Sequence, residues 1–220
     1  VRADLEGPRS NLEALQGLRL TAAEGPDLVF KQLLQNGGLD PKRDLEILEL
    51  PGAQERHVSF GVFAANALRE GKIDGFWSNA MGAETAVNGG FGKIHVDVRR
   101  GDDPSEIRFA TFAGLATTDK YIADEPHAID AAVRAIVSAQ KSLRADPSLA
   151  QVVGKKKFPP ESAALISTIV TRDAEFYDPV ISEAAIQSLN AFAQSIGHLT
   201  GPVSYEDVVA TRCCKLWTDD

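Results

Sequence analysis

The side chains able to do chemistry are few, and their spacing argues against catalysis. His57, His95, His127 and His198 are scattered along 220 residues, whereas a metal centre draws its ligands from a cluster. Each reads as a surface or helix-end histidine. Cys213 and Cys214 are neighbours. A vicinal disulfide is strained and the pair lacks metal-ligand spacing, so they read as two thiols on a helix face. Such sparse cysteine fits cytosol and periplasm equally. Asp173, Glu175 and Asp178 fall between predicted helices of an acidic chain and read as solvated carboxylates, not as an acid–base pair. There is no G-x-S-x-G, no H-E-x-x-H and no P-loop. Gly89-Gly90-Phe91-Gly92 precedes a predicted strand instead of opening a helix, so it is not a dinucleotide fingerprint. No catalytic residue, metal site or cofactor is expected, and binding is what remains.

The stretch most suited to binding runs from Arg69 to Glu84. Gly71 stands where a helix C-cap is expected, since a left-handed residue costs glycine little. Ile73, Phe76 and Trp77 make a short apolar run, as a covered parallel strand does. Ser78 or Asn79 then caps a helix from Ala80. Trp77, Ser78 and Asn79 are thereby placed at the carboxyl end of a strand, where open α/β sheets bind ligands. Residues 23–27 form a second loop of the same kind. Helix N-termini present free N–H groups and a positive dipole end, which suits a carboxylate, sulfonate or phosphate. Glu24 and Asp27 oppose an anion in the first loop, so a cationic or neutral polar solute is also admitted. Trp77 and Phe112 could stack on an aromatic or apolar ligand or belong to the core.

The surrounding elements alternate. Residues 18–22 form a strand. A helix follows with the stripe Val29, Phe30, Leu33 and Leu34, stopped by Gly37-Gly38. Residues 45–50 are a strand, and Val58, Val62, Ala65 and Leu68 mark a helix ended by Gly71. After the central strand and the helix from Ala80 comes a strand over residues 94–98. This order implies a mostly parallel sheet with helices on both faces. Residues 1–5 read as the end of an extended strand and residues 108–116 as a longer one. Thr117 or Thr118 caps a short helix over residues 119–124. The rest is helical: a stripe from Ile129 to Leu143 with Asp130 and Arg134 paired on its exposed face, a short helix over 148–153 stopped by Gly154, a helix from Pro160 through Val170, and a stripe from Ile186 to Ile196. Ser204 and Asp207 make a capping box for a last helix toward Trp217. Lys155-Lys156-Lys157 is a solvated run too short to name a partner by itself.

Composition narrows the classes. An apolar share of 44% with 25% charged residues is that of a globular protein. A net charge of −8 excludes a nucleic-acid partner, which needs a basic face. No run approaches the roughly 18 apolar residues of a membrane span.

The segment Glu70-Gly71-Lys72-Ile73-Asp74-Gly75-Phe76 resembles the "sGeiDaf" segment of periplasmic substrate-binding proteins of ABC importers, nearest to the nitrate, sulfonate and thiamine-pyrimidine type. Further similar segments follow in the same order: Leu15 to Leu20, Leu33 to Pro41, Asp97 to Asp102, and Pro202 to Val209. The resemblance implies a type II periplasmic binding protein fold, mostly parallel sheet flanked by helices, followed by a helical C-terminal region. It implies a protein outside the cytoplasmic membrane, periplasmic or lipid-anchored, that binds a small solute in an interlobe cleft, closes on it about a hinge and delivers it to a membrane permease. The site it implies comprises Glu24, Gly25, Asp27, Trp77, Ser78, Asn79 and Met81, with Thr111 and Phe112 from a strand returning between lobes. A related branch makes the thiamine pyrimidine precursor, but its cysteine cluster has no counterpart here. Residues 1–103 are expected to be one α/β lobe and 104–220 the return strand with the helical part of the other. Some ninety residues of helix then lack a sheet to cover. The expectation is that the family's N-terminal part is absent from this sequence, so that a missing segment or a second copy completes the fold, or that the chain is a non-binding fragment.

Overall fold

The computed structural model describes residues 1–53, 59–104, 109 and 113–218. The chain divides into two compact units, Val1–Arg108 and Phe109–Asp220.

The first unit is built on β1 (Arg19–Ala22), β2 (Glu46–Ile47) and β3 (Gly75–Trp77), all parallel and ordered β2-β1-β3. Leu20 faces Ile47 on one side and Gly75 on the other, and Ala22 faces Trp77. Thr21, fully buried, donates its hydroxyl to the Leu48 carbonyl at 2.7 Å. That bond removes the cost of burying a hydroxyl in the sheet. The pleat sends alternate side chains to opposite faces. Phe76 packs on the buried cluster of Ala64, Ala65, Leu68, Ile73 and Ala86, whereas Trp77 stacks on Phe30 at 5.6 Å and 16°. Helices therefore cover both faces. Phe30 belongs to α1 (Pro26–Asn36), and all of the cluster but Ile73 to α2 (Phe60–Arg69) and α3 (Ala80–Asn88).

Helices α2 and α3 touch through glycine. A methyl group on Gly82 would lie 2.5 Å from the Gly61 carbonyl oxygen. Only two glycines allow so close a backbone approach, and it brings Ala64, Ala65 and Ala86 into one apolar layer.

Several expected strands are shorter or absent. Residues 45–50 contribute only Glu46–Ile47 to the sheet, with one further rung from the Leu48 N–H to the Leu20 carbonyl. The strand expected over 94–98 does not form. The buried Asp97 carboxylate accepts from the Arg99 N–H and guanidinium and curls Val98–Arg100 into a 3-10 turn. Residues 1–5 make only an antiparallel bridge, Arg2 to Gly92. Of the strand expected over 108–116, Ala113–116 are irregular, and Phe109 has φ 68, a left-handed value that breaks an extended run.

The described part of the second unit is helical: α4 (Asp119–Asp124), α5 (Pro126–Ala145), α6 (Leu149–Lys157), α7 (Pro160–Asp173), α8 (Glu183–Ser195) and α9 (Tyr205–Val208). The expected caps are present. Thr118 accepts from the Tyr121 N–H at 3.1 Å and Ser204 from the Asp207 N–H at 3.2 Å. Gly154 does not stop α6, which runs on to Lys157, because a glycine there lets the helix lie against Ala163 of α7. The last helix is one α turn followed by a 3-10 segment, Thr211–Leu216, holding both cysteines as free thiols. Asp130 meets Arg212 at 2.9 Å.

Candidate functional site

From β1 the chain crosses to β2 on one side, then returns past β1 to β3 on the other. The crossover direction reverses between β1 and β3, which puts a topological switch point at their carboxyl ends, the position where such sheets bind ligands. Since Ala22 pairs with Trp77, the loop after β1 and the loop after β3 leave the sheet side by side. Seven of the nine expected residues, Glu24, Gly25, Asp27, Trp77, Ser78, Asn79 and Met81, stand on these two loops and the helix turns they open. Thr111 and Phe112 lie outside the described residues.

The two loops differ chemically. Gly25 is the N-cap of α1 at φ 88, a conformation glycine adopts without strain. Its N–H donates to Asp27 Oδ1 at 3.0 Å, and Asp27 Oδ2 meets Lys31 Nζ at 2.5 Å. Both oxygens of Asp27 are thus engaged within the helix start, and Lys31 neutralises its charge. Glu24 is exposed. The start of α1 thus holds its own carboxylate, although it makes no side-chain capping bond.

The start of α3 is open. Asn79 is its N-cap but makes no side-chain capping bond, and the Ser78 hydroxyl turns to the Asn79 carbonyl at 2.9 Å. An uncapped helix N-terminus offers N–H groups and a positive field to a carboxylate or sulfonate oxygen. The Asn79 amide stands exposed beside it, able to donate or accept. Trp77 is half-buried and stacked on Phe30, which makes it first a wall of the sheet.

Residues 59–61, expected only as part of a helix and not of the site, belong to the same place. A methyl group on Gly61 would lie 2.9 Å from Asn79 Oδ1, so α2 begins against the Asn79 side chain. The signal was present as a Pro51-Gly52 turn after the second strand and Ser59 ahead of a helix.

The charged network of this unit lies at the other end of the strands. Asp74 accepts from the Arg19 N–H at 3.0 Å and from its guanidinium at 2.9 and 3.1 Å. Hydrogen bonding to Arg19 outweighs burial and holds the Asp74 carboxyl below its ordinary range. Among the described residues no three His, Cys, Asp or Glu side chains gather as a metal site, and no helix is long and apolar enough to cross a membrane.

A model of the NMT1-like family matches residues 20–155, a span that contains both loops. The crystal structure of SsuA from Methylobacillus flagellatus KT, named as the periplasmic sulfonate-binding protein of a sulfonate ABC transporter, superposes with a TM-score of 0.66 at 18% identity over 98% of this chain. The present chain spans 63% of that protein's length. Comparison with curated proteins gives no match. The architecture is that of a type II periplasmic binding protein, a parallel sheet flanked by helices.

Proposed function

We propose, on the premise that the chain belongs to the NMT1-like family, that it is the solute-binding component of an ABC-type importer. It holds a small polar or anionic organic molecule and does no chemistry on it. The observation that carries this reading is the pairing of two loops at the switch point of the sheet, one of them opening α3 with an uncapped N-terminus beside Asn79. Such a constellation binds and orients without supplying a nucleophile or a general base. The sulfonate named for SsuA is a tetrahedral anion of the kind an open helix N-terminus accepts. The solute would be taken up outside the cytoplasmic membrane and passed to a membrane permease.

The second unit leaves Phe109, Leu115, Ile136, Val180 and Val208 exposed along a groove of about 1040 Å³. Our reading includes a polypeptide partner for that groove, either a segment outside residues 1–220 or a second copy.

Calorimetry with short alkanesulfonates and carboxylates tests the assignment. Saturable one-to-one binding is expected, weakened tenfold or more when Asn79 is replaced by Ala. Binding that is indifferent to Asn79→Ala removes this loop from the site. A bare chain in native mass spectrometry with every solute tried favours the non-binding fragment.

A further inference from the structure

Helix α6 carries its apolar side chains on the wrong face for packing. Its inner face is made of Ala150 and Gly154, both buried, with Gly154 set against Ala163 of α7. Its outer face carries Leu149, Val152 and Val153, spaced i, i+3, i+4 so that they form one stripe. They are 39%, 53% and 57% exposed, and Phe158, at the end of the helix, is 51% exposed. Lys156 falls at i+7 on the same stripe, and Lys155 and Lys157 flank it. Among the described residues these three lysines make no ion pair. None of the four apolar side chains lines the groove of this unit; they form a ridge that stands out from the surface.

We propose that this ridge is a docking surface for an anionic lipid bilayer. The partner is chosen by charge and by shape. A cluster of three unpaired cations in a chain of net charge −8 calls for negative charge opposite it. Protruding valines, a leucine and a phenylalanine need a medium that they can enter without a preformed socket. A bilayer interface supplies both, with the apolar side chains below the headgroups and lysine ammonium groups at phosphate level. The inference does not depend on the solute assignment, since it concerns residues 149–158 alone. It would hold the protein at a membrane surface reversibly, as one short amphipathic helix does.

The test is co-sedimentation of the whole chain with vesicles of phosphatidylcholine alone and with vesicles containing about a third phosphatidylglycerol. Each lysine near an anionic surface contributes roughly a fivefold factor, so three give on the order of a hundredfold preference for the anionic vesicles. That preference should collapse at about 0.5 M salt through screening. Replacing all three lysines by Gln should abolish it, and replacing them by Arg should keep it. Val152→Ser with Val153→Ser should weaken binding several-fold while leaving the lysines in place. These positions are exposed, so circular dichroism melts should match the parent and separate loss of docking from loss of fold. Equal sedimentation with both vesicles, or none, overturns the proposal. So does a dimer in analytical ultracentrifugation that the valine changes dissolve, which would assign the ridge to a second copy.

Discussion

Replacing Gly82 with Ala should be the most damaging single methyl in the first unit. The added carbon would stand 2.5 Å from the Gly61 oxygen and 2.6 Å from its carbonyl carbon and Cα. These are backbone atoms, so no side chain can swing aside. Non-bonded carbons settle at about 3.5–4.0 Å, and the helices must part by roughly 1 Å. Overpacking of this sort costs about 1–3 kcal/mol. A gap of about that size also forfeits a quarter to a half of the dispersion energy across Ala64, Ala65 and Ala86. Against this, alanine gains about 1 kcal/mol over glycine in helix propensity. The net expectation is a loss of about 2 kcal/mol, or roughly 10 °C in melting temperature for a unit of this size. Urea unfolding followed by fluorescence is the assay, because Trp77 and Trp217 lie in different units and only the Trp77 transition should move. Gly154→Ala is the control. It has the same propensity gain, and its nearest atom is the Ala163 methyl at 3.3 Å, a tight contact that a small shift relieves, so it should cost far less than Gly82→Ala. If both variants melt alike, α2 and α3 do not meet as described and the reasoning fails. The same separation shifts the start of α3, so Gly82→Ala should also weaken any solute held beside Asn79.

Three further outcomes are expected. Asn79→Ala should lower solute affinity by tenfold or more by calorimetry while changing stability by less than about 0.5 kcal/mol, since the exposed amide makes no capping bond. Thr21→Val should cost about 1 kcal/mol in chemical denaturation, because it leaves the half-buried Leu48 carbonyl without its 2.7 Å donor. Asp74→Asn should cost about 1 kcal/mol at neutral pH, a modest figure because Arg19 is partly exposed. Its pH dependence has a definite sign. A carboxyl held below its ordinary value of 3.8 in the folded protein stabilises it at every pH above that value. The contribution fades as pH falls from about 4 through the lower folded value. The parent should therefore lose more stability than Asp74→Asn over that acid range in urea titrations, and parallel titrations would dismiss the Arg19–Asp74 link.

The turns and helix starts were legible because their causes are local. Gly25 with Pro26, Gly71, Thr118 and Ser204 each announce a helix end through backbone freedom or a side-chain acceptor within three residues. The length of a strand depends instead on what lies beside it. Residues 45–50 and 94–98 carry apolar runs fit for strands, yet among the described residues the first finds only β1 as a neighbour. The second is turned aside by Asp97, whose burial and arginine partners no periodicity foretells. Gly154 misled for the same reason. A glycine that ends a free helix can also seat one helix on another, and only Ala163 distinguishes the two.

The candidate site was half legible. Placing residues 23–27 and 78–81 at strand ends needed only the alternation of elements, but bringing them side by side needed the strand order, with β3 beside β1. The choice between anion and cation also needed contacts. In sequence, Glu24 and Asp27 look like two negative charges facing a ligand. In the fold Asp27 spends both oxygens on the Gly25 N–H and on Lys31, so the first loop presents one exposed carboxylate, Glu24, and a helix start that already holds another. The second loop has no acidic residue in the first turn of α3 and no side-chain cap. A solute with an anionic group would therefore place it at α3, and any ammonium or hydroxyl it carries would fall toward Glu24. That polarity across two adjacent strand ends favours a zwitterionic or hydroxylated anion over a bare inorganic one, and affinities for taurine and ethanesulfonate would separate the two, with Glu24→Gln narrowing the difference.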